Sequence, residues 1–200
     1  MLAYDSPGCG GTSCSDLTSV DIPFLVATAE QVLDAERVGR FHLAGHSMGG
    51  LTALLIAERH PERIASFTDI EGNLAPEDCF LTRRVITHPA DDPDKFLADF
   101  ADRVSRSPHY ASGLYSQSVR HKVRARAVRS IFESMVELSD QGDLIARFLA
   151  LPFPKMFLYG AQNGDLSYLP ELAEIPHSAH FPMYSNPPEM WQRITLHHPR

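Results

Sequence analysis

Cysteine, long apolar runs and positive charge are all scarce in this 200-residue sequence. The three cysteines form an odd set without metal-ligand spacing, so neither a disulfide framework nor a cysteine-bound metal is expected, and a reducing compartment is favoured. No stretch approaches the roughly 18 apolar residues of a membrane span, and the first residues lack the basic and apolar regions of a signal peptide. We therefore expect a cytoplasmic protein with no membrane partner, no metal and no cofactor.

Negative charge exceeds positive charge, because 25 Asp and Glu residues against 18 Lys and Arg residues give a net charge of −7. This balance provides no overall attraction to phosphate backbones, so nucleic acid is not expected as a partner. Hydrophobic residues make up 44% of the chain, which is enough to bury a substantial core in a single domain.

Strand and helix patterns alternate along both ends of the chain. Apolar runs predict strands over residues 2–5, 40–45, 64–70, 155–160 and 172–175. Helical spacing predicts helices over residues 18–38, 48–59 and 188–195. The middle of the chain shows only helical patterns, which lie over residues 95–104 and 117–138 and shortly after Asp143. This alternation predicts a mostly parallel α/β sheet with a helical insertion.

One serine stands on a predicted strand-to-helix turn. Gly45-His46-Ser47-Met48-Gly49 fits the pattern G-x-S-x-G, in which a strained turn presents a serine above the edge of a sheet. Glycine at positions 45 and 49 would leave room where a Cβ atom would collide. Ser47 is therefore the candidate nucleophile.

Five stretches, in this order, resemble the α/β-hydrolase superfamily over nearly the whole chain. They are YDSPGCGGTS for the loop after strand four, GHSMGG for the nucleophile elbow, HPERIASFTDIEG for strand six, KMFLYG for strand seven, and SAHFPMYSNPPEMW for the histidine loop and the last helix. The resemblance implies a hydrolase core formed by residues 1–76 and 151–200. Residues 77–150 would form a helical cap inserted between strands six and seven.

A serine nucleophile needs a base, and the best candidate among the ten histidines is His180. It lies after the last predicted strand and before an Asn-Pro-Pro helix start, as in the superfamily. His46 is adjacent to the serine, but neighbouring residues around a tight turn point apart. It is therefore interpreted as a wall or packing residue.

The acid that orients the histidine does not stand at its commonest place. Most of the superfamily carries Asp three residues after the glycine that ends strand seven, and here that position is Asn163, which cannot supply the charge. Two replacements remain, Glu71 at the end of strand six and Asp165 in the loop of Asn163. The strand-six stretch resembles the haloalkane-dehalogenase-like branch, whose acid stands at that end, so Glu71 is favoured. Asp69 ranks third because it sits deeper in the strand.

The resemblance also implies an oxyanion hole made by two backbone N–H groups, that of Met48 and one from the loop after strand three. The sequence begins at the superfamily's strand four, so strands one to three and half of the oxyanion hole are expected to be absent. A sheet edge would then be exposed, which would permit a homodimer.

These residues predict a serine hydrolase that cleaves an ester or related acyl bond of a small, largely apolar substrate. Ser47 would attack, His180 would move the proton, and Glu71 would hold His180. Haloalkane dehalogenation is disfavoured because that chemistry uses an aspartate nucleophile. The alternatives are a non-catalytic or signalling protein of the same fold and a degenerate fragment of a hydrolase.

Two features of the predicted cap bear on the substrate. A set of large apolar side chains would line the pocket or would simply form the core of the cap: Phe96, Phe100, Tyr110, Tyr115, Phe132 and Met135. A basic run is interpreted as a solvated helix face rather than as a site for an anion: Arg120, Lys122, Arg124, Arg126 and Arg129.

Overall fold

A parallel four-stranded sheet forms the centre of the part of the chain that the computed structural model describes, residues 1–87, 92–166, 169 and 172–198. Its strands lie side by side in chain order: β1 Phe41–His46, β2 Ile64–Ile70, β3 Lys155–Gly160 and β4 Leu172–Ile175. Because neighbouring strands are parallel, their carboxyl ends meet at one edge of the sheet. Three predicted strands are confirmed at their predicted bounds, and the strand predicted over 40–45 is shifted by one residue.

Helices connect and cover these strands. Within the described ranges they are α1 Ile22–Ala35, α2 Met48–Arg59, α3 Phe80–Ile86, α4 Pro93–Ser105, α5 Ser112–Lys122, α6 Ala125–Asp140, α7 Leu144–Ala150, α8 Pro182–Ser185 and α9 Pro187–His197. Local sequence signals define where a helix begins, as α1 illustrates. The Asp21 carboxylate caps this helix by accepting a hydrogen bond from the Phe24 N–H at 2.7 Å, and Pro23 stands in the first turn. None of the helices in these ranges is long and apolar enough to cross a membrane.

Both faces of the sheet carry helices. On one face α1 and α2 pack together with α6 and α7, and side chains fully buried at this contact are Leu51, Leu54, Phe67 and Phe148. On the opposite face α9 completes a second apolar cluster, which contains Ile70, Leu158, Ala173, Ile175, Met190 and Ile194. This two-sided packing fixes the strands, so the loops at their carboxyl ends start from defined positions.

The strand predicted over residues 2–5 is wrong, because no strand is described there. Leu2 and Tyr4 are largely exposed, and their backbone groups pair with no neighbouring strand in the described ranges. A short apolar run gains little as a strand when no partner satisfies its N–H and C=O groups.

The single helix predicted over 117–138 is also wrong, because the chain forms two helices there, α5 and α6. Backbone groups at the junction of α5 and α6 form hydrogen bonds with a loop near the N-terminus. The Gly10 N–H donates to the Lys122 carbonyl at 2.7 Å, and the Arg124 N–H donates to the Gly8 carbonyl at 2.8 Å. An uninterrupted helix would pair those backbone groups internally. Because the break contains neither proline nor glycine, the local sequence gave no sign of it.

The helices α3 to α7 lie within residues 77–150, the predicted cap, and α3 was not predicted. Part of this segment has its own apolar cluster, in which Phe96 and Phe100 of α4 pack with Val119 and Val128. The later helices α6 and α7 also contribute to the main core beside the sheet. The division of the chain into core and cap stays a prediction.

Candidate active site

The serine turn lies between the end of β1 and the start of α2. Ser47 has φ 53° and ψ −122°, a strained conformation for a residue with a side chain, and its N–H donates to the Ile70 carbonyl at 2.9 Å. A Cβ atom at Gly45 would lie 2.2 Å from the Gly49 carbonyl oxygen, so this position needs glycine. The hydrogen bond from Ser47 to β2 therefore stabilises the strained turn, and glycine at position 45 leaves room for it.

The predicted steric role of Gly49 is wrong, because a Cβ atom there would meet nothing within 4 Å. The crowded glycine is the next one, Gly50, where a Cβ atom would lie 2.2 Å from Oδ1 of Asp69. The close packing between α2 and β2 therefore occurs one residue later than the sequence pattern indicates.

The structure brings His180 to the serine. Its Nε2 lies 3.0 Å from Ser47 Oγ, and its Nδ1 lies 3.5 Å from Oε2 of Glu71. His180 belongs to the loop between β4 and α8, and Gly160 at the end of β3 packs so closely on that loop that a Cβ atom would lie 2.4 Å from the Ala179 carbonyl oxygen. The histidine loop is thus held against the carboxyl edge of the sheet.

Glu71 occupies the first position after β2, with φ 51° and a residue exposure of only 8%. Its Oε1 accepts a hydrogen bond from the Gly160 N–H at 2.6 Å, and its Oε2 accepts one from Asn163 Nδ2 at 2.9 Å. A non-glycine residue with positive φ is uncommon, and such residues concentrate at functional sites. The side chain of Asp165, the rival acid, lies outside what the structure describes.

The two neighbours of His180 indicate which tautomer its neutral imidazole adopts. Since the Glu71 carboxylate can only accept a hydrogen bond, the proton lies on Nδ1, and Nε2 presents a lone pair to the Ser47 hydroxyl. The contact of 3.5 Å between His180 and Glu71 is long for a hydrogen bond, so the carboxylate acts there mainly through its charge.

His46 contributes a contact that the sequence did not reveal. Its Nε2 lies 2.7 Å from the His180 carbonyl oxygen, and burial, together with the nearby His180, lowers the pKa of His46 to about 3. His46 is therefore neutral at pH 7 and donates its Nε2 proton to that carbonyl. It supports the backbone of the histidine loop, beyond the wall or packing role predicted from its position.

Met48 is the first residue of α2 and follows the serine directly. An N–H group in the first turn of a helix has no acceptor within the helix. The Met48 N–H is therefore available to an oxygen that develops negative charge beside Ser47, as an oxyanion hole requires.

A second carboxyl group lies beneath the turn. Asp69 is fully buried in β2, and neither of its oxygens has a hydrogen-bond partner among the described residues. Burial and the nearby Asp78 raise the pKa of Asp69 well above the ordinary aspartate value, and the nearby Gly72 N–H, which acts in the opposite direction, does not offset them. The described contact of His180 Nδ1 is with Glu71 and not with Asp69. No group of metal-ligating side chains that could hold an ion is found in the described ranges.

An aromatic pair joins the predicted cap segment to the histidine loop. The ring of Tyr115 in α5 stacks on the ring of Phe181 with centroids 4.0 Å apart, and Phe181 follows the catalytic candidate His180. Burial raises the pKa of Tyr115 to about 12, so the phenol remains neutral. The stack places an apolar surface next to the histidine loop.

The other predicted pocket residues have different positions. Phe96, Phe100 and Met135 are buried in apolar clusters, Phe132 is partly buried against the same clusters, and Tyr110 is 47% exposed. The five basic residues of the cap are exposed, as predicted for a solvated face. Two of them donate hydrogen bonds to backbone carbonyl groups: Arg124 to that of Gly10 and Arg129 to that of Ile86.

A second serine also contacts histidine. Ser66 Oγ lies 2.7 Å from Nδ1 of His42 and contacts Nδ1 of His198, on the face of the sheet where α9 ends. Ser66 is 1% exposed and lies inside β2 rather than on a strained turn. Burial lowers the pKa of His198 to about 4. This cluster has the atoms of a serine–histidine pair without an accessible hydroxyl.

Sequence comparison relates the chain to known hydrolases. The sequence profile of the alpha/beta hydrolase fold matches residues 1–187. The chain is 25% identical over 146 residues to a putative carbamate hydrolase RutD of Variovorax paradoxus, which covers 65% of this chain and 55% of the relative. It is 36% identical over 83 residues to a putative RutD of Azorhizobium caulinodans, with coverage of 42% and 31%. The chain therefore spans about half the length of the first of these relatives.

Solved structures show the same fold at low sequence identity. The enol-lactonase of Burkholderia xenovorans has a TM-score of 0.72 at 17% identity, covering 97% of this chain and 78% of the lactonase. A mutant of the N-acyl homoserine lactonase AidH, bound to N-hexanoyl homoserine lactone, has a TM-score of 0.70 at 16% identity, with coverage of 94% and 75%. With a family profile that spans nearly all 200 residues and a parallel sheet of the matching fold, this chain belongs to the α/β-hydrolase fold family.

Proposed function

We propose that Ser47, His180 and Glu71 are the catalytic triad of a serine hydrolase. The observation that carries this proposal is the short contact from Ser47 Oγ to His180 Nε2, 3.0 Å, with a buried carboxylate on the other side of the imidazole. Among the five described non-glycine residues with positive φ, Ser47 and Glu71 are the two whose side chains contact His180.

The reaction follows from the proton positions. As the Ser47 oxygen attacks the acyl carbon, its proton passes to His180 Nε2, and the carbonyl π electrons move to the carbonyl oxygen. That oxygen becomes negative and accepts the Met48 N–H. Collapse of this intermediate expels the alcohol, which takes the proton from His180 and leaves an acyl group on Ser47. Water attacks this ester with His180 again as base, and release of the acid restores the serine.

The substrate is a small molecule of largely apolar character. The aromatic pair of Tyr115 and Phe181 supports this, because it presents apolar surface beside the histidine loop. The five basic residues of the predicted cap are exposed to solvent, and two of them donate to backbone carbonyl groups, so they do not favour an anionic group at the serine. Structural neighbours that are lactonases support an ester bond, since a lactone is a cyclic ester.

The test is covalent labelling of the full chain with a fluorophosphonate probe, together with hydrolysis of short p-nitrophenyl esters. We expect a single adduct on Ser47 and its loss in Ser47→Ala, because among the serines that the structure describes only Ser47 has both a histidine at its hydroxyl and a hydroxyl that is not fully buried. The probe mass should be mapped to its residue by peptide mass spectrometry.

Ser66→Ala is the matched control, because Ser66 also contacts histidine but is buried. Labelling of this variant should equal that of the unaltered protein. A folded chain that forms no adduct, or one whose adduct persists in Ser47→Ala, would contradict the proposed function.

A further inference from the structure

Asn163 stands where most of the superfamily carries the acid, and the structure shows what the amide does there. Its Nδ2 donates to Glu71 Oε2 at 2.9 Å. The side chain of Glu71 is only 6% exposed, so water contributes little to holding the carboxylate. Asn163 and the Gly160 N–H are the donors of two short hydrogen bonds to this carboxylate, one on each oxygen.

The amide and the imidazole use the same carboxylate oxygen. Oε2 of Glu71 receives the Asn163 amide at 2.9 Å and lies 3.5 Å from Nδ1 of His180. The rotation of the carboxylate, and with it the distance to the imidazole, therefore depends on the shorter of these two contacts.

The loop that carries Asn163 is fixed independently of Glu71. The adjacent Gln162 donates its N–H to the Ser178 carbonyl at 3.0 Å, and its side-chain oxygen accepts the Tyr110 N–H at 2.8 Å. The chain also departs from helical geometry at Asn163, with φ −110° and ψ 36°, inside the helical turn Ala161–Leu166. The amide is thus anchored to the histidine loop and to the cap before it meets the carboxylate.

We propose that Asn163 is a positioning residue that fixes Glu71 toward His180 and keeps the site at a single negative charge. The proposal rests on the proposed function, in which Glu71 is the acid. A glutamate side chain has three rotatable torsions. A fixed donor on the oxygen that faces His180 restricts these torsions before the substrate binds.

The neutrality of the amide is as important as its hydrogen bond. Aspartate has the same shape as asparagine, but at position 163 it would place a second carboxyl group at hydrogen-bond distance from Glu71. Two carboxyl groups at that distance share one proton, and loss of that proton gives a doubly negative site. The extra charge would favour the protonated imidazolium of His180, which cannot act as a base.

The experiment measures ester hydrolysis against pH for the full chain and two variants, with Gln31→Glu at an exposed position of α1 as matched control. Asn163→Ala should lower kcat roughly tenfold to a hundredfold with little change in KM, because a hydrogen bond to a charged group is lost. Asn163→Asp should move the acid limb of the profile to higher pH by about one unit. Gln31→Glu adds the same negative charge at the exposed surface of α1, so its profile should not move.

A second readout does not depend on turnover. The ring of His180, followed by NMR over a pH titration, should show its midpoint at higher pH in Asn163→Asp than in the unaltered chain. If no ester or probe reacts but this midpoint still moves, the proposed function fails and the positioning role stands. Unchanged kcat in Asn163→Ala, or an unmoved midpoint in the isosteric Asn163→Asp, would overturn the positioning role.

Discussion

Two buried carboxyl groups lie two residues apart at the end of β2, and their surroundings differ completely. Glu71 has positive φ, two donors within 2.9 Å and an imidazole beyond them. Asp69 has regular strand geometry and no hydrogen-bond partner among the described residues. Burial is therefore common to both carboxyl groups, and the hydrogen-bond donors distinguish the proposed catalytic acid. The end of β2 carries one carboxylate held by two donors and, two residues earlier, one carboxyl group whose pKa burial raises.

The strongest test of this difference removes the charge from Glu71. Glu71→Gln should lower ester hydrolysis on the order of 10⁴-fold, because the imidazolium formed during attack loses its counter-charge and the histidine its orientation. Steady-state kinetics should be compared with Asp165→Asn, which alters the rival acid. A larger loss in Asp165→Asn than in Glu71→Gln would move the acid to the loop after β3.

The packing around Asp69 gives the next largest effect. A Cβ atom at Gly72 would lie 2.0 Å from Asp69 Oδ1, so Gly72→Ala should destabilise the fold by roughly 1–3 kcal/mol through overpacking. Urea unfolding measures this change. Gly49→Ala is the control, since that position is open. Combining Gly72→Ala with Asp69→Ala should recover part of the loss, and a loss that stays the same would place the strain elsewhere.

A smaller effect distinguishes the two carboxyl groups by pH. Because the pKa of Asp69 is raised in the folded state, its contribution to stability is complete below the ordinary aspartate pKa and is lost as pH rises through the folded value. Asp69→Asn removes this dependence. The variant should match the parent near pH 3 and gain stability relative to it at higher pH.

Thermal unfolding between pH 3 and pH 9 would follow this difference. The exposed Asp94→Asn serves as a control for the loss of one carboxylate at the surface. A constant offset between Asp69→Asn and the parent at every pH would show that Asp69 does not retain its proton in the folded state.

The sequence predicted the elements of this site better than its contacts. The bounds of α2 and β2 follow from local apolar patterns, and these place Ser47 and Glu71 at adjacent strand ends. The conformations of those two residues could not be predicted in the same way. Positive φ at Glu71 is set by the neighbouring strand and by the donors on its carboxylate, which come from residues about ninety positions later.

Contacts between residues distant in sequence also explain where the sequence predictions were wrong or incomplete. The break between α5 and α6 arises from backbone pairing with a loop more than a hundred residues away, and no local signal marks it. Likewise, the hydrogen bond from His46 to the His180 carbonyl joins two segments 134 residues apart. Sequence patterns indicate which face of an element is apolar, whereas contacts of this kind depend on how loops meet once the core has formed.

The pairing of the N-terminal loop with the junction of α5 and α6 has a mechanical consequence. Tension applied at residue 1 would reach the hydrogen bonds of Gly8 and Gly10 before it reaches the sheet. In a single-molecule pulling experiment, this junction should separate first, at low force, because its bonds would open one after another. The parallel strands, loaded later and along their length, should resist as a unit.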